Sequence, residues 1–158
     1  MSDETTTGRI GERLRELGID LPAARPPLGS YVPAKRVGNI VTTSGQIPSF
    51  GGTEYKGHLG ADLSPEDARA ATRACALNCL AALLTVVDSL DRVQQIVSLH
   101  GFVNSAPDAD GHAAAMNGAS DLMVEIFGEA GKHARSTVGV AALPGNFAAQ
   151  VYMVVEVS

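Results

Sequence analysis

The residue best placed to do chemistry in this chain is Arg135. The segment Ala134-Arg135-Ser136-Thr137-Val138-Gly139-Val140-Ala141-Ala142-Leu143-Pro144-Gly145-Asn146 sets a guanidinium at the mouth of a strand of small and apolar residues, followed by a tight turn. A guanidinium with few bulky neighbours can grip a small carboxylate through paired hydrogen bonds. A surface arginine at a strand start has the same local signature. Tyr31, Ser44-Gly45 and Gln150 complete a modest polar constellation. Each also has a plain structural explanation: core tyrosine, strand-end hydroxyl, turn glycine, solvent-facing amide.

Other chemistries find less support. His58, His100, His112 and His133 show no pair four apart on a helix with an intervening glutamate, the spacing of a metal site. His133, two residues before Arg135, is within reach of the same pocket. Thr43-Ser44-Gly45-Gln46 lacks the glycine two residues before the serine that a nucleophile elbow requires. The glycines form neither a phosphate loop nor a dinucleotide fingerprint. Cys75 and Cys79 lie four apart in an Ala/Leu-rich stretch, which suits two buried thiols on one helix face better than a disulfide. No Cys-x-x-Cys is present.

The elements that must hold these residues can be read from periodicity. Ile10, Leu14 and Leu17 recur at helical spacing, predicting a short helix over 8–17 ended by Gly18. Residues 21–30, with Pro22, Pro26, Pro27 and Gly29, read as an extended connector. Tyr31–Val37 and Asn39–Ser44 are expected as strands about a Gly38-Asn39 turn, with loop over 45–60. Ser64-Pro65-Glu66-Asp67 is a helix start: a capping hydroxyl, a first-turn proline and acids at the positive end of the dipole. That helix is expected to run to about Ser89. Val93–Val103 reads as a strand and Gly111–Phe127 as a second helix. Ser136–Ala142 and Ala148–Val157 are expected to form a closing hairpin.

This order predicts an α+β sandwich, a sheet with two long helices on one face. The last strand carries Val154 on one face and Val151, Met153, Val155 and Val157 on the other. A strand apolar on both sides needs both sides covered. Another copy of the chain would cover the second, so an oligomer is expected.

At 158 residues, with 45% apolar and 18% charged residues, the chain is expected to form a globular domain with its own core. The formal net charge of -5 and the lack of a Lys/Arg cluster argue against nucleic-acid binding. No run reaches membrane-spanning length, and Met1–Thr7 is polar and acidic, unlike a signal peptide. A cytoplasmic location is the expectation.

Taken together, Gly29-Ser30-Tyr31-Val32, Thr43-Ser44-Gly45-Gln46-Ile47-Pro48 and Ala134-Arg135-Ser136 through Leu143-Pro144 resemble the Rid family, also called the YjgF family of imine/enamine deaminases and long labelled endoribonuclease L-PSP. The resemblance covers roughly 27–158 as a single Rid-like domain. Residues 1–26, the N-terminal helix and connector, lie outside the core pattern and mark a divergent branch. It implies a chorismate-mutase-like (bacillus-type) fold: a mixed β-sheet, two long helices on one face and here an extra N-terminal helix. It also implies a homotrimer with a site at each subunit interface, no metal and no organic cofactor.

The implied reaction is hydrolysis of reactive 2-imino and enamine acids to 2-oxo acids and ammonia. Carried over residue by residue, Arg135 would clamp the substrate carboxylate, while Gly45 and Thr137 would offer backbone groups around it. Tyr31 and Ser44 would line the pocket, and Asn117 would approach from the second long helix. The chain departs from the family at Gln150, where the characterised deaminases carry a glutamate thought to orient or activate water, and at Thr137, where the family has a cysteine. A neutral amide holds a water but takes no proton from it. Glu156, six residues further along the strand, is roughly 20 Å away and no substitute. On Arg135, deamination stands first; Gln150 favours the second reading, non-catalytic binding of small carboxylates; ribonuclease activity, against the acidic charge balance, stands third.

Overall fold

The computed structural model describes residues 7–158. Its longest helix, α2 (Pro65–Leu83), starts as the sequence predicts: Ser64 accepts the Asp67 N–H at 3.1 Å, with Pro65, Glu66 and Asp67 in the first turn. It stops at Leu83 rather than Ser89. The β-branched run Thr85-Val86-Val87 disfavours continuation, and the Thr85 hydroxyl turns back to the Ala82 carbonyl at 2.7 Å.

Ahead of it, α1 (Gly8–Glu16) buries Ile10 and Leu14, one turn apart, in the main core. Strands β1 (Ala34–Val37) and β2 (Ile40–Thr43) form the expected antiparallel pair about Gly38-Asn39, with Tyr31–Pro33 outside it. A small hairpin, β3 (Ser49–Phe50) with β4 (Thr53–Glu54), interrupts the glycine-rich loop. After α2 come β5 (Val93–Asn104), α3 (His112–Phe127), β6 (Ala134–Val140) and β7 (Ala149–Val157).

The main sheet has the order β1-β2-β7-β5-β6. The expected β6–β7 hairpin does not exist. β7 runs antiparallel between β2 and β5, and β6 pairs parallel with the far side of β5 as an edge strand. The cause is α3: a parallel neighbour of β5 needs a crossover connection, and that crossover delivers β6 to the outer edge. The chain then returns across β5 through the 3-10 turn Pro144–Asn146.

Register fixes which residues meet the helices. On β7, Ala149, Val151, Met153, Val155 and Val157 are buried against them, and the alternate residues face the other way. On β5 the simple alternation fails. A bulge between Ile96 and Ser98 turns Ile96 to the core together with Leu99, Gly101 and Val103, leaving Val97 exposed. Helices α2 and α3 cover this inner face and are tied together by Thr72, whose hydroxyl donates to the Ala115 carbonyl at 2.6 Å. The outer face carries Val37, Ile40 and Val138 exposed, with Phe102 and Val154 partly buried. His100 there stacks on Tyr152, ring centroids 4.4 Å apart. Among the described residues, no helix is long and apolar enough to cross a membrane.

Candidate functional site

Arg135 stands near the start of edge strand β6, in register with buried Leu99, so its side chain emerges on the helix side of the sheet. Its Nη1 donates to Asn117 Oδ1 at 2.7 Å and to Ser120 Oγ at 3.3 Å, both on α3. Ser120 in turn meets His133 Nε2 at 2.9 Å, and His133 Nδ1 meets the Gly131 carbonyl at 2.6 Å. A carbonyl only accepts, so Nδ1 carries the proton and Nε2 of the neutral ring takes the Ser120 hydroxyl hydrogen. The lone pairs of Ser120 are thereby turned to the guanidinium.

This relay fixes one corner of Arg135 and leaves Nε and Nη2 for a bidentate partner. No ion pair is recorded for Arg135 among the described residues. Two positions on, Thr137 shares the same strand face, and its buried hydroxyl has no partner among the described residues. Ser120 was not apparent from the motifs. The signal was its place three residues after Asn117, on the same face of a helix.

A second cluster lies across the sheet. Gln46 and Val151 exchange backbone hydrogen bonds at 2.8 and 3.1 Å. The carboxamide of Asn78, buried on α2, donates to the carbonyls of Ile47 and Ser49 at 2.9 Å each. These bonds press the Ser44-Gly45 turn against β7. A Cβ on Gly45 would lie 2.6 Å from Cδ of Gln150, so the absent side chain is what admits the amide. Ser44 Oγ donates to the Val32 carbonyl at 2.6 Å, and Tyr31 Oη accepts the Leu28 N–H at 3.1 Å. Tyr31, Gly45 and Gln46 line a recess of about 60 Å³ together with Arg25 and Pro26.

The structure brings Arg135, Asn117 and Thr137 together on one side, and Tyr31, Ser44, Gly45 and Gln150 on the other. It does not join the two groups within one chain. Gln150 pairs with Phe102, which pairs with Val138. Arg135 is thus two strand spacings and three residues away, roughly 14 Å between Cα atoms, and its side chain points to the opposite face.

The two cysteines take no part in either cluster. Their sulfurs sit under β7, Cys75 Sγ 3.8 Å from the Ala149 carbonyl and Cys79 Sγ 3.3 Å from that of Val151. Burial pushes both thiols up, that of Cys79 to about 12. Glu156 accepts from Asn39 and Gln95 and stays away from Gln150. Among the described residues, no group of three or more His, Cys, Asp or Glu side chains could hold a metal ion.

The family described as "YjgF/chorismate_mutase-like, putative endoribonuclease" matches residues 11–157. Protein TCP17 of Trypanosoma cruzi is 43% identical over 155 residues, 96% of each chain. A crystal structure from Shewanella oneidensis, titled a "putative endoribonuclease", is 38% identical with a TM-score of 0.90, covering 95% of this chain and 100% of that one. The YjgF gene product of E. coli is 26% identical with a TM-score of 0.59, over 84% of this chain and 92% of that one. Such coverage, on a mixed sheet backed by two long helices, shows that the chain belongs to the YjgF/chorismate mutase-like family.

Proposed function

We propose that the protein hydrolyses small 2-imino and enamine acids to 2-oxo acids and ammonia, at sites completed by a neighbouring copy in a homotrimer. The observation that carries this reading is Arg135. Its Nη1 is anchored by Asn117 and Ser120 while its remaining edge is open at a sheet edge. Holding a guanidinium in this way reduces the rotamer entropy lost when a carboxylate binds.

The chemistry asks little of the site. The carbon of a protonated imine is already electrophilic, and water adds to it to give a 2-amino-2-hydroxy acid. Collapse of that adduct forms the C=O bond and expels ammonia. Atoms balance with one water consumed and no redox partner needed. Orientation of substrate and water supplies much of the acceleration. Across the interface, Gln150 would hold the water through its amide, and Gly45 and Thr137 would frame the carboxylate with backbone groups. An amide accepts or donates a hydrogen bond without becoming a base, so the proton leaves by the substrate nitrogen or by solvent.

Gln150 also favours a second reading, in which the same site binds small carboxylates without turning them over. One assay separates the two. 2-Iminobutanoate generated in situ by an amino-acid oxidase is followed with wild type, Arg135→Ala and Gln150→Glu. The proposal expects accelerated disappearance of the imine, lost by at least about a hundredfold in Arg135→Ala. Saturable binding of 2-oxobutanoate with no acceleration selects the binding reading, as does activity that appears only in Gln150→Glu. Unchanged activity in Arg135→Ala removes the arginine from the mechanism.

A further inference from the structure

Residues two apart on the approach to β6 meet residues three apart on α3. Gly131, His133 and Arg135 alternate along the chain, with Lys132 between the first two in extended conformation. Opposite them on α3 stand Met123, Ser120 and Asn117, which share one face of the helix. Two extended residues advance about 6.6 Å and three helical ones about 4.5 Å. The long Arg135 side chain absorbs the mismatch by reaching both Asn117 and Ser120.

Packing fixes the far end of this row. Gly131 is buried, and a Cβ there would collide with the Met123 carbonyl. Only glycine lets the turn sit so close to the helix backbone, and in that seat the Gly131 carbonyl takes the proton of His133 Nδ1. The tautomer of His133 is thus set by a backbone contact of α3 itself. The acceptor nitrogen of the ring then serves Ser120, and the acceptor pairs of Ser120 serve Arg135.

Both anchors of Arg135 are uncharged. The acids nearby are engaged elsewhere, Asp121 by Arg69 and Glu129 by Lys132 at 2.7 Å. A carboxylate in place of Ser120 would hold the guanidinium harder and cancel its charge. An amide and a hydroxyl orient it and leave that charge to a ligand.

We infer that Ser120 and His133 are positioning residues for carboxylate recognition: a neutral imidazole, held as its Nδ1–H tautomer, orients Arg135 through one hydroxyl. The inference rests on the proposed clamp at Arg135 and deepens it. Neither residue touches the ligand. Their contribution passes through the guanidinium, so the two act as links of one chain rather than as separate supports.

Calorimetric titration of the full chain with 2-oxobutanoate, joined to nitrogen NMR of the histidine-labelled protein, tests it. Ser120→Ala and His133→Phe are each expected to weaken binding about fivefold. The double variant is expected to lose the same fivefold, where independent supports would lose about twenty-five-fold. His133→Gln, whose amide oxygen still accepts from Ser120, is expected to restore most of the affinity, with circular dichroism confirming the fold of each variant. In the wild type the His133 ring is expected to carry its proton on Nδ1. Its Nε2 signal is expected to shift when 2-oxobutanoate binds and to stay still in Arg135→Ala. A proton on Nε2, multiplying losses in the double variant, or wild-type affinity in both single variants while Arg135→Ala abolishes binding would overturn the relay and leave the clamp standing. If 2-oxobutanoate does not bind, or binds Arg135→Ala as it binds the wild type, the clamp and this inference fall together.

Discussion

At the scale of the residue, the cysteines and the histidines went opposite ways. Cys75 and Cys79, at i and i+4 in an apolar run, were legible as buried thiols because a helix alone decides that they share a face. Their burial has a measurable consequence. An unfolded thiol releases its proton near pH 8.5 to 9, whereas that of Cys79 in the fold waits until about 12. Between those values the folded chain holds more protons than the unfolded one, so stability falls as pH rises and is flat with respect to these groups below pH 8. Denaturant midpoints from pH 7 to 10 should therefore decline above pH 9, by at most about 1.4 kcal/mol per pH unit for each thiol. Cys79→Ala should decline less steeply over the same range, and parallel curves would refute the assignment. The histidines were not legible. His58 and His112 read as lone residues, and only the fold brings both to one cavity with Ser105.

At the scale of the element, local rules placed α1, α3, the start of α2 and the β1–β2 turn within a few residues of where they occur, and overran the end of α2 by six. Caps, breakers and apolar spacing act over one or two turns, and such signals are written in the sequence. Strand order is not written there. The chain between β6 and β7 looks like a hairpin loop, yet β5 intervenes, and nothing near Pro144 announces that. The bulge at Ile96–Ser98 is similarly set by pairing with β7 rather than by β5's own residues.

The N-terminus of α1 shows the same non-locality. The Thr7 side chain at its N-cap makes no capping hydrogen bond. Asp91, 81 to 82 positions away, accepts from Arg9 N at 3.0 Å and from Ile10 N at 2.8 Å. A carboxylate on the positive end of a helix is worth about 1 kcal/mol. Asp91→Ala should lower the melting temperature by about 2 to 4 °C and raise amide exchange at Arg9 and Ile10. Asp91→Asn, which keeps an acceptor, should lose less. Equal exchange in wild type and Asp91→Ala would mean that this cap holds nothing in solution.

At the scale of the molecule, the Arg135 and Gln150 groups lie on opposite faces of the sheet, and the proposed function needs both halves. Arg135 has its α3 partners, and Gln150 lies over Gly45, beside the recess that Arg25 also lines. The exposed Val37, Ile40 and Val138 on the outer face give a second copy something to cover. If a neighbouring copy unites the halves, subunits damaged in different halves should rescue one another. Arg135→Ala and Gly45→Leu should each abolish saturable 2-oxo acid binding. In mixed and reassembled oligomers, an interface is intact only when an arginine-bearing subunit meets a glycine-bearing one. Random equal mixing in a closed ring of heterologous contacts restores about a quarter of the sites. Calorimetric stoichiometry reads that fraction directly, whether or not the site turns its ligand over. A mixture that stays silent while wild-type chains carried through the same reassembly recover full binding would place both halves within one chain and remove the reason for the interface.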